Sequence, residues 1–442
     1  MATNALNFNP LTEPSLPEVH ASVRVLRSPM YWRRLAGFLG PGFLIAVGYM
    51  DPGNWATDIA GGSQFGYTLL FVIMLSNFVA ILLQSLSLKL GVATDRDLAQ
   101  MCRENYGPKV SVMLWLMAEI AIAACDLAEV IGAAIALQLL FHIPLLYGTL
   151  ITGLDVMLIL VLQKTGFRRL EAMVIALIAT IIVLFGIQML ISRPEYGLAL
   201  YSMAVPSASL FRNATMLYIG VGILGATVMP HNLYLHSSIV QSRSYARTSE
   251  GKREAIHMAN VDSALALMIA LFVNAAILIV AAAVFYRSGH FDVAAIQDAY
   301  KLLSPLVGTA GASTLFAVAL LASGQNSSIT GTLAGQVVME GFLKMRLSPW
   351  LRRMITRSIA IIPTVIVVAF MGERGTEKLL ILSQVILSFQ LSFAVIPLVI
   401  FTGDRKKMGE FVNGRLLQAT AWVTAFVIAG LNAWLIVQTI RG

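Results

Sequence analysis

An apolar run from Ala36 to Met50 stops at Asp51-Pro52-Gly53-Asn54, and Trp55 restarts the segment toward Gly62. A carboxylate at bilayer depth costs about 3 kcal/mol or more, so it is expected only where it faces protein, water or an ion. Pro52 removes an amide donor and Gly53 weakens the helix, which frees backbone carbonyls beside the acid. A broken span is tolerated where those groups line a cavity. The plainer reading is a proline kink with an incidental surface aspartate.

Composition places the break in a membrane. Of 442 residues, 57% are hydrophobic and 12% charged, with a mean hydropathy of +0.77; soluble domains carry about 25% charge. The fold expected is an all-α polytopic bundle. Eleven spans are predicted, at 37–62, 66–90, 110–138, 144–163, 169–190, 214–241, 259–286, 309–339, 355–371, 378–402 and 416–439. Residues 1–35 read as a cytoplasmic tail, polar at first and amphipathic near the membrane. The loop 191–213 contains Pro194 and Pro206, which argue against continuous helix. With the N-terminus inside, 24 of the 31 Lys and Arg fall on the cytoplasmic side and seven outside, which orients the chain N-inside and C-outside. The same bias accounts for the net charge of +8 without nucleic acid. Cys102 and Cys125 suggest neither a disulfide scaffold nor a thiolate metal site.

The sixth span repeats the oddity of the first. Gly220-Val221-Gly222-Ile223-Leu224-Gly225-Ala226-Thr227-Val228-Met229-Pro230-His231 sets small residues, a thioether, a proline and an imidazole inside an apolar segment. Two interrupted spans five apart are the mark of an inverted-repeat carrier. The units predicted are 36–190 and 214–402, followed by 403–442 with the eleventh span.

The residues at the breaks suit a dehydrated dication. Asp51 offers an anionic oxygen, Asn54 a neutral one and Met229 a soft sulfur, while Gly48 and Ala226 leave their carbonyls unobstructed. Calcium and magnesium prefer oxygen alone, so the sulfur points to a transition metal. Read alone, Met229 is equally core filler among 20 methionines. Gln384 in the tenth span is a further carbonyl candidate, and Gln390 a weaker one. Ser323-Gly324-Gln325-Asn326-Ser327-Ser328 in the eighth span either lines a path or packs tightly.

A second polar set suits protons. His231 titrates near neutrality, and His236 five residues on is read as continuing a relay toward the cytoplasm. Asp126 and Glu129 share a helix face at i and i+3; Glu119 lies seven residues earlier, and Arg352, Arg353 or Arg357 are candidate partners. The alternative is a buried structural network. Gly61-Gly62-Ser63 and Gly331 lack a nucleotide-site context, and Asn213-Ala214-Thr215 matches a glycosylation triplet close to the membrane. No enzymatic constellation or cofactor site is expected.

These motifs together resemble the Nramp family of proton-coupled divalent metal transporters, in particular its bacterial manganese transporters. The resemblance rests on Asp51-Pro52-Gly53-Asn54 with Met229-Pro230-His231, supported by Asp126-Leu127-Ala128-Glu129, and covers roughly residues 36–440. It implies a LeuT-like fold of two inverted five-helix units plus an eleventh transmembrane helix, in a bacterial inner or plasma membrane. It implies that Asp51, Asn54 and Met229 bind the metal, with the Ala226 carbonyl and either the Gly48 carbonyl or Gln384. Asp51, His231, Glu129, Asp126 and His236 resemble the proton pathway. Mn²⁺ or Fe²⁺, often Co²⁺ or Cd²⁺, would be substrates alongside protons, with no obligatory protein partner. A metal-gated channel and a Na⁺-coupled amino-acid carrier on the same fold are the competing readings.

Overall fold

The computed structural model describes residues 14–25, 28–152, 166–293, 295–309, 311–345 and 347–441. They are almost wholly helical. The first half contains α1 (Tyr31–Phe38), α2 (Pro41–Gly48), α3 (Pro52–Phe65), α4 (Leu70–Thr94), α5 (Leu98–Asn105), α6 (Pro108–Phe141) and α7 (Phe167–Ser192). After the short α8 (Tyr196–Ala204) come α9 (Ala214–Thr227), α10 (Pro230–Ile239) and α11 (Ser249–Ala281), which runs on through a π turn to Tyr286. The rest is α12 (Ile296–Val307), α13 (Ala312–Leu343), α14 (Pro349–Met371), α15 (Glu373–Gly403), α16 (Arg405–Met408) and α17 (Arg415–Arg441).

Among the described residues, eight helical segments are long and apolar enough to cross a bilayer. The three other expected spans have separate explanations. The first is split into α2 and α3. The fourth is helical at 145–152, and its remainder lies outside the described residues. The eighth, α13, is 32 residues long, but its serines, threonines and glycines dilute its apolarity. The 191–213 loop is interrupted as its prolines require, yet α8 forms between them.

Both breaks are built by sequence. Pro52 and Pro230 occupy the first turn of α3 and α10, where a missing N–H costs nothing. The Asp51 side chain caps α3 by accepting from the Asn54 amide at 2.8 Å. Freed carbonyls are satisfied by neighbouring helices: Asn274 donates to Tyr49 O at 2.8 Å, and Ser323 donates to Met50 O. Ser323 therefore does more than pack. The start of α2 is held by Asp262 of α11, which accepts from Gly40 N at 3.1 Å and Gly42 N at 2.7 Å.

Small residues let the helices close on these breaks. A side chain at Gly132 of α6 would collide with the Pro52 ring, and one at Gly53 with the Gln384 amide of α15. Large apolar side chains instead point outward on the periphery, as Ile355, Ile359, Ile362, Ile366 and Phe370 do on α14. The face carrying the N-terminus is sealed. Leu16 is buried and its N–H donates to Glu340 at 3.0 Å, Ala21 N donates to Gln241 O at 3.0 Å, and β1 (Val23–Arg24) pairs in parallel with β2 (Arg243–Ser244). The tail beyond residue 13 is thus packed structure.

Candidate metal site at the two helix breaks

The breaks in α2–α3 and α9–α10 meet in the buried centre of the bundle. Asp51, Asn54 and Met229 are each 0–1% exposed. The Asn54 amide nitrogen lies 2.7 Å from Asp51 Oδ1, 3.1 Å from Ala226 O and 3.5 Å from Gly48 O. A Cβ on Gly48 would collide with the Asn232 amide and sit 3.1 Å from the Met229 sulfur, so glycine lets both side chains close on that carbonyl. Gln384 approaches from α15, donating to Ser383 at 2.9 Å while its Oε1 stays without a donor. Asp51, Asn54, Ala226, Gly48 and Met229 are thus brought together, and the Gln384 side chain packs against Gly53 next to them.

Their chemistry fits a cation in transit. Asp51 Oδ2 and Gln384 Oε1 are buried acceptors with no donor among the described residues, and a buried acceptor of that kind is suited to a cation. Among the described residues no group of three or more His, Cys, Asp or Glu is placed to hold a metal. The site instead offers one carboxylate, neutral oxygens and a sulfur, with a single formal charge to release.

Beside the site, α6 supplies the acidic pair. Asp126 and Glu129 are both buried. Arg357 of α14 lies 3.9 Å from Asp126 and 3.5 Å from Glu129, and also donates to Ser328 at 2.7 Å. Ser328 in turn donates to Glu129 at 2.9 Å. Of the three candidate arginines, Arg357 makes these contacts; the side chains of Arg352 and Arg353 lie outside the described residues. Glu119 is half-buried and accepts from the Trp115 indole at 3.1 Å. His231 is buried within electrostatic reach of Asp126.

His236 belongs elsewhere. Five residues is 140° around a helix beyond one full turn, so it faces α4 instead of α6. There its Nδ1 lies 2.9 Å from Gln84 Oε1, and Gln84 donates to the Tyr49 hydroxyl at 2.7 Å. The two histidines thus serve different polar arms.

A family profile described as natural resistance-associated macrophage protein-like (Nramp) matches residues 42–438. The chain belongs to the Nramp family. It is 61% identical over 433 residues to a divalent metal cation transporter MntH of Nostoc, spanning 98% of both chains. A MntH of Bradyrhizobium diazoefficiens is also 61% identical, across 98% of this chain and 96% of its own. Among solved structures, a mutant manganese transporter of Eremococcus coleocola superposes with a TM-score of 0.91 at 41% identity, covering 97% of this chain and 92% of that one. Mhp1, a nucleobase-cation-symport-1 family transporter, shares the fold at a TM-score of 0.61 and 14% identity. This Nramp chain is an all-α, multi-pass membrane protein with the LeuT-like inverted-repeat fold.

Several residues around the Nramp site escaped the motif reading. Asn274 of α11 holds the Tyr49 carbonyl and lies 3.5 Å from Asn54 Oδ1. Asp58 is buried one turn beyond Asn54, with Oδ2 lacking a donor. Gln84 and Asp262 complete the set. A polar residue inside an apolar span is the signal all four carried, and it is the same signal that exposed Asp51.

Proposed function

We propose that this chain imports Mn²⁺, and also Fe²⁺, Co²⁺ or Cd²⁺, together with protons, by alternating access through the site between the two helix breaks. Its family is one of secondary active divalent metal transporters, and the manganese named for its relatives suits the mixed oxygen and sulfur donors. Asp51, Asn54 and Met229 bind the ion, with the Ala226 and Gly48 carbonyls and Gln384. Asp51 also takes a proton, and His231, Asp126, Glu129 and Glu119 pass it on toward the arginines of α14, with Arg352 and Arg353 as further members. His236 contributes through Gln84.

The observation that carries this reading is the burial of the entire ligand set. With Asp51, Asn54 and Met229 at most 1% exposed, the half-helices must move for an ion to enter or leave. That suits alternating access, the mode of a family of secondary active transporters. The membrane is a bacterial inner or plasma membrane, with the N-terminus cytoplasmic and the C-terminus external, as the distribution of Lys and Arg favours. The repeats are 36–190 and 214–402, separated by an external loop at 191–213.

Reconstitution in vesicles tests the reading. Mn²⁺ uptake and internal pH are recorded together, with Ca²⁺ and Mg²⁺ as competitors. Saturable uptake with acidification, resistant to the alkaline-earth ions, is expected. Large unitary currents, or uptake without any proton movement, would overturn the mechanism.

A further inference from the structure

The Asn54 carboxamide faces the ion seat with its nitrogen, the end that cannot bind a metal. Its three neighbours on that side, Asp51 Oδ1, Ala226 O and Gly48 O, are all acceptors. An NH₂ group suits that side, its two hydrogens serving the two nearer acceptors, Asp51 Oδ1 and Ala226 O. With its nitrogen on that side, the amide cannot ligate a cation as it stands. Its oxygen points the other way, to the Asn274 nitrogen at 3.5 Å.

For Asn54 to ligate an ion through oxygen, the amide must turn about its last side-chain torsion, a soft two-fold rotation. The NH₂ group then confronts Asn274, whose nitrogen already donates to Tyr49 O at 2.8 Å. Two donors face each other there. The Asn274 oxygen, however, is buried with no donor of its own. If Asn274 turns as well, that oxygen accepts from Asn54, and the Tyr49 carbonyl is released. Tyr49 lies in the three-residue gap between α2 and α3.

We infer that Asn274 is a positioning residue, and that the Asn54 and Asn274 amides turn as a pair when a dication binds. In the arrangement shown, Asn54 gives its NH₂ to Asp51 Oδ1 and Ala226 O, and Asn274 ties down the hinge carbonyl. In the loaded state Asn54 presents oxygen, Asn274 receives its NH₂, and the backbone between α2 and α3 is untied. Occupancy is thereby reported to the element that must move. The inference rests on Asn54 being a metal ligand, and the two ideas fail in different experiments.

Mn²⁺ binding to the full chain in lipid nanodiscs is measured by calorimetry, with hydrogen exchange at residues 44–50 recorded with and without saturating Mn²⁺. Asn274→Leu leaves the turned Asn54 amide buried without an acceptor, which weakens Mn²⁺ binding roughly tenfold and abolishes the Mn²⁺-dependent change in exchange. Asn274→Asp offers an acceptor without turning, so its affinity exceeds that of the leucine variant. Should Asn274→Leu not fold, Asn274→Ala takes its place with the same expectation. Wild-type affinity in the apolar variant would overturn the inference. So would equal weakening in the apolar and aspartate variants, or an exchange response that survives at saturating Mn²⁺. Unchanged affinity in Asn54→Ala would instead overturn the ligand assignment beneath it.

Discussion

Arg243 grips Glu171 through two bonds, Nη1 to Oε1 at 2.6 Å and Nη2 to Oε2 at 3.1 Å, with both side chains 1% exposed. Arg243 also donates to Leu39 O at 2.6 Å, and Arg168 reaches the same glutamate and the Leu39 and Ala36 carbonyls. The pair locks the end of α10 to α7 and to the approach of α2, on the face carrying the N-terminus. Breaking a buried pair by removing one partner costs about 3–5 kcal/mol, because the other charge is left uncompensated. Glu171→Gln is therefore expected to lower the apparent Tm markedly and to raise hydrogen exchange at residues 36–48. An unchanged melting curve with unchanged exchange would show that the pair does not hold this face shut.

Asp51 is the carboxylate of the proposed ligand set, and its Oδ2 has no donor among the described residues. Asp51→Ala should reduce Mn²⁺ affinity by more than the roughly 10–100-fold that loss of an outer-shell partner costs. The folded bundle should survive, since the Asp51 cap on Asn54 is one hydrogen bond among many. Uptake into vesicles by matched amounts of folded protein measures this, and near-wild-type rates would remove Asp51 from the site.

Asp126 and Glu129 lie 3.9 and 3.5 Å from Arg357, and Glu129 also accepts from Ser328. Asp126→Asn and Glu129→Gln should change the pH dependence of uptake and the acidification that accompanies it more than they change Mn²⁺ affinity. If both variants kept wild-type proton flux while losing only affinity for the metal, a relay role would be untenable.

Met229 contributes the sulfur. Met229→Ala leaves the oxygen ligands in place, so dications still bind, with water in the vacated position. Preference for Mn²⁺ over Ca²⁺ and Mg²⁺ should shrink by roughly tenfold, about 1.4 kcal/mol. Competition profiles at equal folded protein test it. Slower transport of every ion with unchanged relative affinities would count against Met229 as the selectivity ligand.

The two breaks, the polar residues at them and the membrane-spanning helices were legible in the amino-acid order because each obeys or violates a strong local rule. A carboxylate, proline or imidazole inside an apolar segment stands out against the cost of burying it, and proline placement sets where a helix must restart. Asp51, Asn54 and Met229 needed no partner to be noticed. Their partners were decided only by folding. Nothing in the chain order joins Asp262 to Gly40, Asn274 to Tyr49 or Ser323 to Met50, since these contacts span more than two hundred residues. Which side of α10 each histidine serves was likewise settled by packing, with His231 within electrostatic reach of Asp126 and His236 bonded to Gln84. A helix exposes several faces at once, and the neighbours that claim each face come from distant segments. Local spacing therefore nominates the groups that carry chemistry, while the tertiary structure determines which buried donor or acceptor answers each of them.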